Sequence, residues 1–190
     1  MFERFTKDAR DVVKSAYEYV EGGGGGGQCV EPEHLLLALL DRRGSRGSFA
    51  LAALGLGERR ESVREALSEA RRRAGLTQAE TDALAGLGID VEEIVARVEE
   101  VHGAGAMAGD RKDKRRWSGR TSFGRGAKDV LERSLRVALA QRDRHIGDEH
   151  ILLALTVRPG VPAEVLADHG VTYESLVRVL YGSGGEAKAG

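Results

Sequence analysis

The segments Glu33-His34-Leu35-Leu36-Leu37-Ala38-Leu39 and Glu149-His150-Ile151-Leu152-Leu153-Ala154-Leu155 carry one pattern, an acidic residue and a histidine that open a run of leucines. Apolar side chains cover most of the circumference of such a helix, so water cannot face it and it must be buried. Pro32 stands at a first-turn position of the earlier segment, where its missing N–H is not needed by the helix. Two buried helices of matching sequence, far apart in one chain, point to a duplication.

The match extends on both sides. Before the first segment, Ala9, Val12, Val13, Ala16, Tyr17 and Val20 recur at helical spacing after Thr6, a capping residue. Ala127, Val130, Leu131, Leu135 and Ala138 repeat that face in the second half, with Phe5 matching Phe123 and Asp11 matching Asp129. The offset falls from 118 (Phe5 to Phe123) to 116 (Glu33 to Glu149), which puts two extra residues in the first copy's glycine run, Gly22-Gly23-Gly24-Gly25-Gly26-Gly27. Six consecutive glycines lose too much entropy on ordering to continue a helix, so the run reads as a loop.

After the leucine-rich helix, the stretch that opens Leu84-Ala85-Gly86-Leu87-Gly88-Ile89 aligns with Leu166-Ala167-Asp168-His169-Gly170-Val171. Gly88 and Gly170 read as turn glycines between two short helices. Leu54-Gly55-Leu56 echoes the same element, which predicts an additional helical hairpin between about residues 58 and 82 of the first copy. The expected organisation is an all-α chain: a first repeat over 1–102 with the inserted hairpin, a Gly-rich basic linker over 103–120, a second repeat over 121–181 and a flexible tail over 182–190.

With 190 residues, 41% of them hydrophobic, the chain is long enough to fold around a core of its own. Its 29 Lys and Arg nearly cancel its 30 Asp and Glu, so no global field recruits nucleic acid or an anionic membrane. The single cysteine, Cys29, forms no internal disulfide and suits the reducing cytoplasm, and a small apolar packing role is expected of it. The charged first ten residues lack a signal-type apolar core, and no apolar stretch approaches the roughly 20 residues that span a bilayer.

Motifs for chemistry are weak. The segment Gly119-Arg120-Thr121-Ser122-Phe123-Gly124-Arg125-Gly126 has the outline of a phosphate loop, but Arg125 and Gly126 stand where lysine and a hydroxyl are needed. The histidines His34, His145 and His150 lack the i, i+4 spacing of a helical zinc site, so His34 and His150 read as helix-opening residues that pack or cap. No catalytic residue, cofactor or metal is expected. Glu33 and Glu149 sit at helix openings, where the macrodipole stabilises a carboxylate and where each is placed to accept a guanidinium. Arg111-Lys112-Asp113-Lys114-Arg115-Arg116-Trp117 supports an alternative, a nucleic-acid-associated regulator, although Asp113 and the near-neutral chain favour a solvated linker.

Met1-Phe2-Glu3-Arg4-Phe5-Thr6, the two Glu-His helix openings and Gly126-Ala127-Lys128-Asp129-Val130-Leu131-Glu132 together resemble the N-terminal repeat domain of Clp unfoldases, the Gram-positive type above all, over roughly residues 1–181. The resemblance implies a pseudo-twofold bundle of two four-helix repeats that receives substrates and adaptors, without the ATPase modules that do the unfolding. It implies a regulator or decoy of Clp proteolysis whose partners are a Clp unfoldase or its substrates and adaptors. By the same resemblance Glu33 and Glu149 match glutamates that recognise phosphorylated arginine, and Phe2, Phe123, Lys128 and Glu132 match a pocket for cyclic peptides. The flanks depart from the family's Gly-Thr: Glu31-Pro32 precedes one glutamate and Gly147-Asp148 the other. Glu31 and Asp148 repel a phosphate and Pro32 removes a donor, so unmodified basic peptides suit these flanks better than phosphorylated ones.

Overall fold

A computed structural model describes residues 2–22, 29–103, 105–108 and 121–182. The leucine-rich segments form α2 (Pro32–Asp41) and α8 (Asp148–Val157), ten residues each. Leu35, Leu36, Leu39 and Leu40 of α2 and Ile151, Leu152, Leu153 and Leu155 of α8 are withdrawn from water, and the two helices pack on each other. The apolar-periodic segments form α1 (Lys7–Gly22) and α7 (Arg125–Ala140), sixteen residues each, which lie on α2 and α8 respectively. Thr6 caps α1 by accepting the Ala9 N–H at 3.2 Å.

Four further helices close the layers. α3 (Arg46–Ala53) packs on α8 while α9 (Val161–Asp168) packs on α2, so each copy's third helix covers the other copy's central one. α4 (Arg60–Arg72) then packs on α9, and α10 (Tyr173–Tyr181) on α3. The contacts exchange under a twofold operation, and the buried residues of both copies form one core.

The same exchange governs the lead-in segments. β1 (Cys29–Val30) pairs in parallel with β2 (Ser122–Phe123), with Val30 opposite Phe123 and Gly124 N–H donating to Val30 O at 2.9 Å. Its repeat mate is the bridge of Phe5 with Ile146, where Thr6 N–H donates to Ile146 O at 2.9 Å. Each copy thus ties the strand before its first helix to the strand before the other copy's second. Arg42 and Arg158, just past α2 and α8, reach back to Asp11 and Asp129, both at 3.3 Å.

The extra hairpin lies elsewhere than the sequence reading puts it. α3 and α4, with Gly55 (φ +77°) in their turn, are the true mates of α9 and α10 with Gly170 (φ +78°). Leu51, Leu56 and Val63 occupy the buried places of Leu166, Val171 and Leu176. The added pair is α5 (Gln78–Gly86) and α6 (Val91–His102), which leaves Leu87 77% and Val101 74% exposed. Both hairpins carry the same glycine turn, so local pattern does not separate them. Chain reach does, because α3 begins directly after the short connection 42–45, as α9 does after 158–160. The proposed linker core 109–120, the segment 23–28 that holds most of the glycine run, and the tail 183–190 lie outside the described residues.

Burial of this kind predicts that Leu36→Ala and Leu152→Ala each lower the unfolding free energy by about 2–5 kcal/mol in denaturant titration. Leu51→Ala should fall in that range too, and Leu87→Ala within about 0.5 kcal/mol of the parent.

Candidate functional site

The two Glu-His openings stand at the N-termini of α2 and α8, and the histidines are fixed there by their own backbones. Glu31 N–H donates to His34 Nδ1 at 2.9 Å, and Gly147 N–H donates to His150 Nδ1 at 2.8 Å. A ring nitrogen that accepts carries no proton, so the neutral ring holds its proton on Nε2. Burial keeps both rings neutral: His34 is pulled down to about 4 by desolvation and by the Arg71 charge, and His150 is lowered by desolvation against the pull of Asp143. The capping role expected of both residues is what the geometry shows.

Around α8 the polar side chains converge. His150 Nε2–H faces Asp143 Oδ2 at 3.0 Å and the Tyr181 hydroxyl at 3.1 Å, and that hydroxyl lies 3.3 Å from Asp143 Oδ2. Asp143, Glu149 and His150 bring their donor atoms within 4.8 Å of one another, the spacing of a metal site. The tautomer argues against a metal, because Nδ1 already accepts Gly147 N–H and Nε2 already holds the proton.

Glu149 is 4% exposed, and Arg46 of α3 meets it with Nη1 2.9 Å from Oε1. The same guanidinium lies over the Tyr181 ring, 5.4 Å from its centroid, and 4.0 Å from Asp143 Oδ2. Desolvation, aided by the neighbouring Asp148, still outweighs Arg46 and raises the Glu149 carboxyl to about 7.

Asp148 is 1% exposed and turned into the start of α3, where Oδ2 accepts Ser45 Oγ–H at 2.5 Å and Gly47 N–H at 3.2 Å. It is a cross-copy cap that holds α3 on α8. Glu31 has a parallel place, its carboxylate filling the space where a side chain at Gly124, the N-cap of α7, would begin. Both acidic flanks are therefore built into the interface of the copies. Glu33 is half-buried and makes no ion pair among the described residues.

No family model matches the chain. Among solved structures it is similar to the N-terminal domain of the caseinolytic protease associated chaperone ClpD from Arabidopsis thaliana, with a TM-score of 0.50 and 19% identity over 95% of this chain and 94% of that one. This is the fold of a Clp N-terminal domain. On it, three of the four residues matched to the cyclic-peptide pocket, Phe123, Lys128 and Glu132, fall into different places. Phe123 stacks edge-on against Tyr17, centroids 4.9 Å apart, and lines a groove of about 510 Å³ with Arg10, Val13 and Lys14. The repeat-related groove, about 260 Å³, lies between Phe5 and the α7 residues Leu131 and Leu135. Lys128 and Glu132 are exposed on α7 and share its face with those leucines by spacing; they line neither groove. The Phe2 side chain lies outside the described part.

Sequence reasoning missed Arg46, Asp143 and Tyr181. Arg46 has Val161 as its repeat mate, and a cation in one copy where the other has an apolar residue was the available signal.

His34 binds a proton in the unfolded chain near pH 6.5 but in the fold only near 4. The stability it supports is therefore present above pH 6.5 and lost as pH falls towards 4. Glu149 works in the opposite sense, since ionising a raised carboxyl between pH 4.5 and about 7 disfavours the native state. Gln at position 34 keeps an acceptor for the Glu31 N–H without titrating. His34→Gln should flatten the acid limb of a melting-temperature profile, sparing about 1–2 kcal/mol between pH 7 and pH 4.5.

Proposed function

We propose that this chain is a non-catalytic module that binds protein segments, with the half-buried Glu33 at the opening of α2 as its open contact for an arginine side chain. The observation that carries the reading is the Clp N-domain fold with a carboxylate at a helix opening that makes no ion pair among the described residues. A carboxylate there accepts a guanidinium through charge-assisted hydrogen bonds, and among the described residues no nucleophile stands with its base beside Glu33 or His34.

The partners that fit are a Clp unfoldase, its substrates or its adaptors, with the module acting as a regulator or decoy of Clp proteolysis in the cytoplasm. Unmodified basic segments suit the site better than arginine-phosphorylated ones. Pro32 offers no N–H to a phosphate, and His34 at this opening stays neutral, so neither residue favours an anion. The groove at Phe123, with Tyr17 on its wall, is the surface on which a cyclic peptide would sit.

Calorimetric titration with a capped arginine peptide and with its phosphoarginine counterpart tests this. Saturable binding of the arginine peptide is expected, with Glu33→Ala weakening it about 10- to 100-fold. Absence of heat from both peptides, or binding indifferent to Glu33→Ala, would refute it.

A further inference from the structure

The two helix openings have one sequence pattern but different occupants. Gly147 leaves room for the Glu149 carboxylate to fold back over the backbone, into space that a Cβ at that position would fill. Glu31 stands at the matching place in the first copy and has a Cβ there, so Glu33 is kept out of the equivalent position and stays half-exposed. α3 opens with Arg46 and α9 with Val161, equivalent residues of two eight-residue helices that each cover the opposite copy. The first brings a cation to Glu149 at 2.9 Å; the second brings none to Glu33.

A guanidinium held by a buried carboxylate, a second carboxylate and an aromatic face is the arrangement by which proteins grip an arginine side chain. We infer that Glu149, Asp143 and Tyr181 form a guanidinium seat that Arg46 fills in cis, so that Arg46 limits the chain to one arginine-bearing segment, taken at Glu33. This rests on the proposed function for the identity of the ligand. The Arg46 side chain is 52% exposed while that of Glu149 is 5% exposed, so the guanidinium enters the seat from the solvent side. An arginine from another chain would approach by that side. Arg46, tethered beside the seat, competes at an effective concentration on the order of millimolar or above, enough to exclude a weaker free ligand.

The test compares the parent, Arg46→Ala and Arg46→Ala/Glu149→Gln at pH 9, because Arg46 holds the Glu149 carboxyl down and its removal raises that group further above about 7. Titration with a capped tripeptide bearing one arginine should give one site in the parent, two in Arg46→Ala and one in the double variant. Millimolar methylguanidinium should raise the melting temperature of Arg46→Ala by a few degrees and leave the double variant unmoved. A single site in a folded Arg46→Ala with no methylguanidinium shift would overturn the seat. Arg46→Gln, which keeps a polar stem against Tyr181, is read in the same way if Arg46→Ala does not fold. A parent that binds no peptide would count against the proposed function alone, since the methylguanidinium response of Arg46→Ala still decides the seat.

Discussion

Contact between α2 and α8 is the constraint on which the rest of this molecule depends. Each is ten residues long and apolar on nearly every side, so neither can lie on a surface and neither is covered by its own copy alone. Burial is completed when α3 crosses to α8 and α9 crosses to α2, and the two strand pairings lock that exchange at the lead-in segments. The hydrophobic gain is shared across the copies. One core results, to which both copies contribute.

The helix openings inherit their chemistry from that crossing. Because α3 must dock on α8, its first residues arrive beside Asp148 and Glu149, and the chain uses both carboxylates internally, one as a cap and one as the partner of Arg46. α9 docks on α2 with Val161, so Glu33 has no such partner among the described residues. A symmetric scaffold thereby carries an asymmetric pair of sites, decided by the substitutions at positions 31 against 147 and 46 against 161.

The duplicated helices were legible because their periodicity is local and their matches extend from Phe5 to Leu39 and from Phe123 to Leu155. The capping histidines were legible too, since first-turn residues act on their own backbone. The hairpin was misplaced because Gly55 and Gly88 terminate helices by the same left-handed geometry, and only tertiary reach distinguishes the buried Leu51 from the exposed Leu87. Of the site, Glu33 and Glu149 were visible as a pair, but their difference was not. It depends on Arg46, which is 103 residues from Glu149 and is brought there by the crossing of α3. Tyr181 was hidden for the same reason, as it reaches His150 from the far end of α10.

The central claim, that one opening is available and the other is closed by the chain itself, is tested most directly by an amide-resolved NMR titration of the parent protein with a capped arginine peptide. The expected result is saturable movement of the Glu33, His34 and Leu35 amides while Glu149, His150 and Ile151 stay in place. Movement at the α8 opening, or at neither, would contradict it.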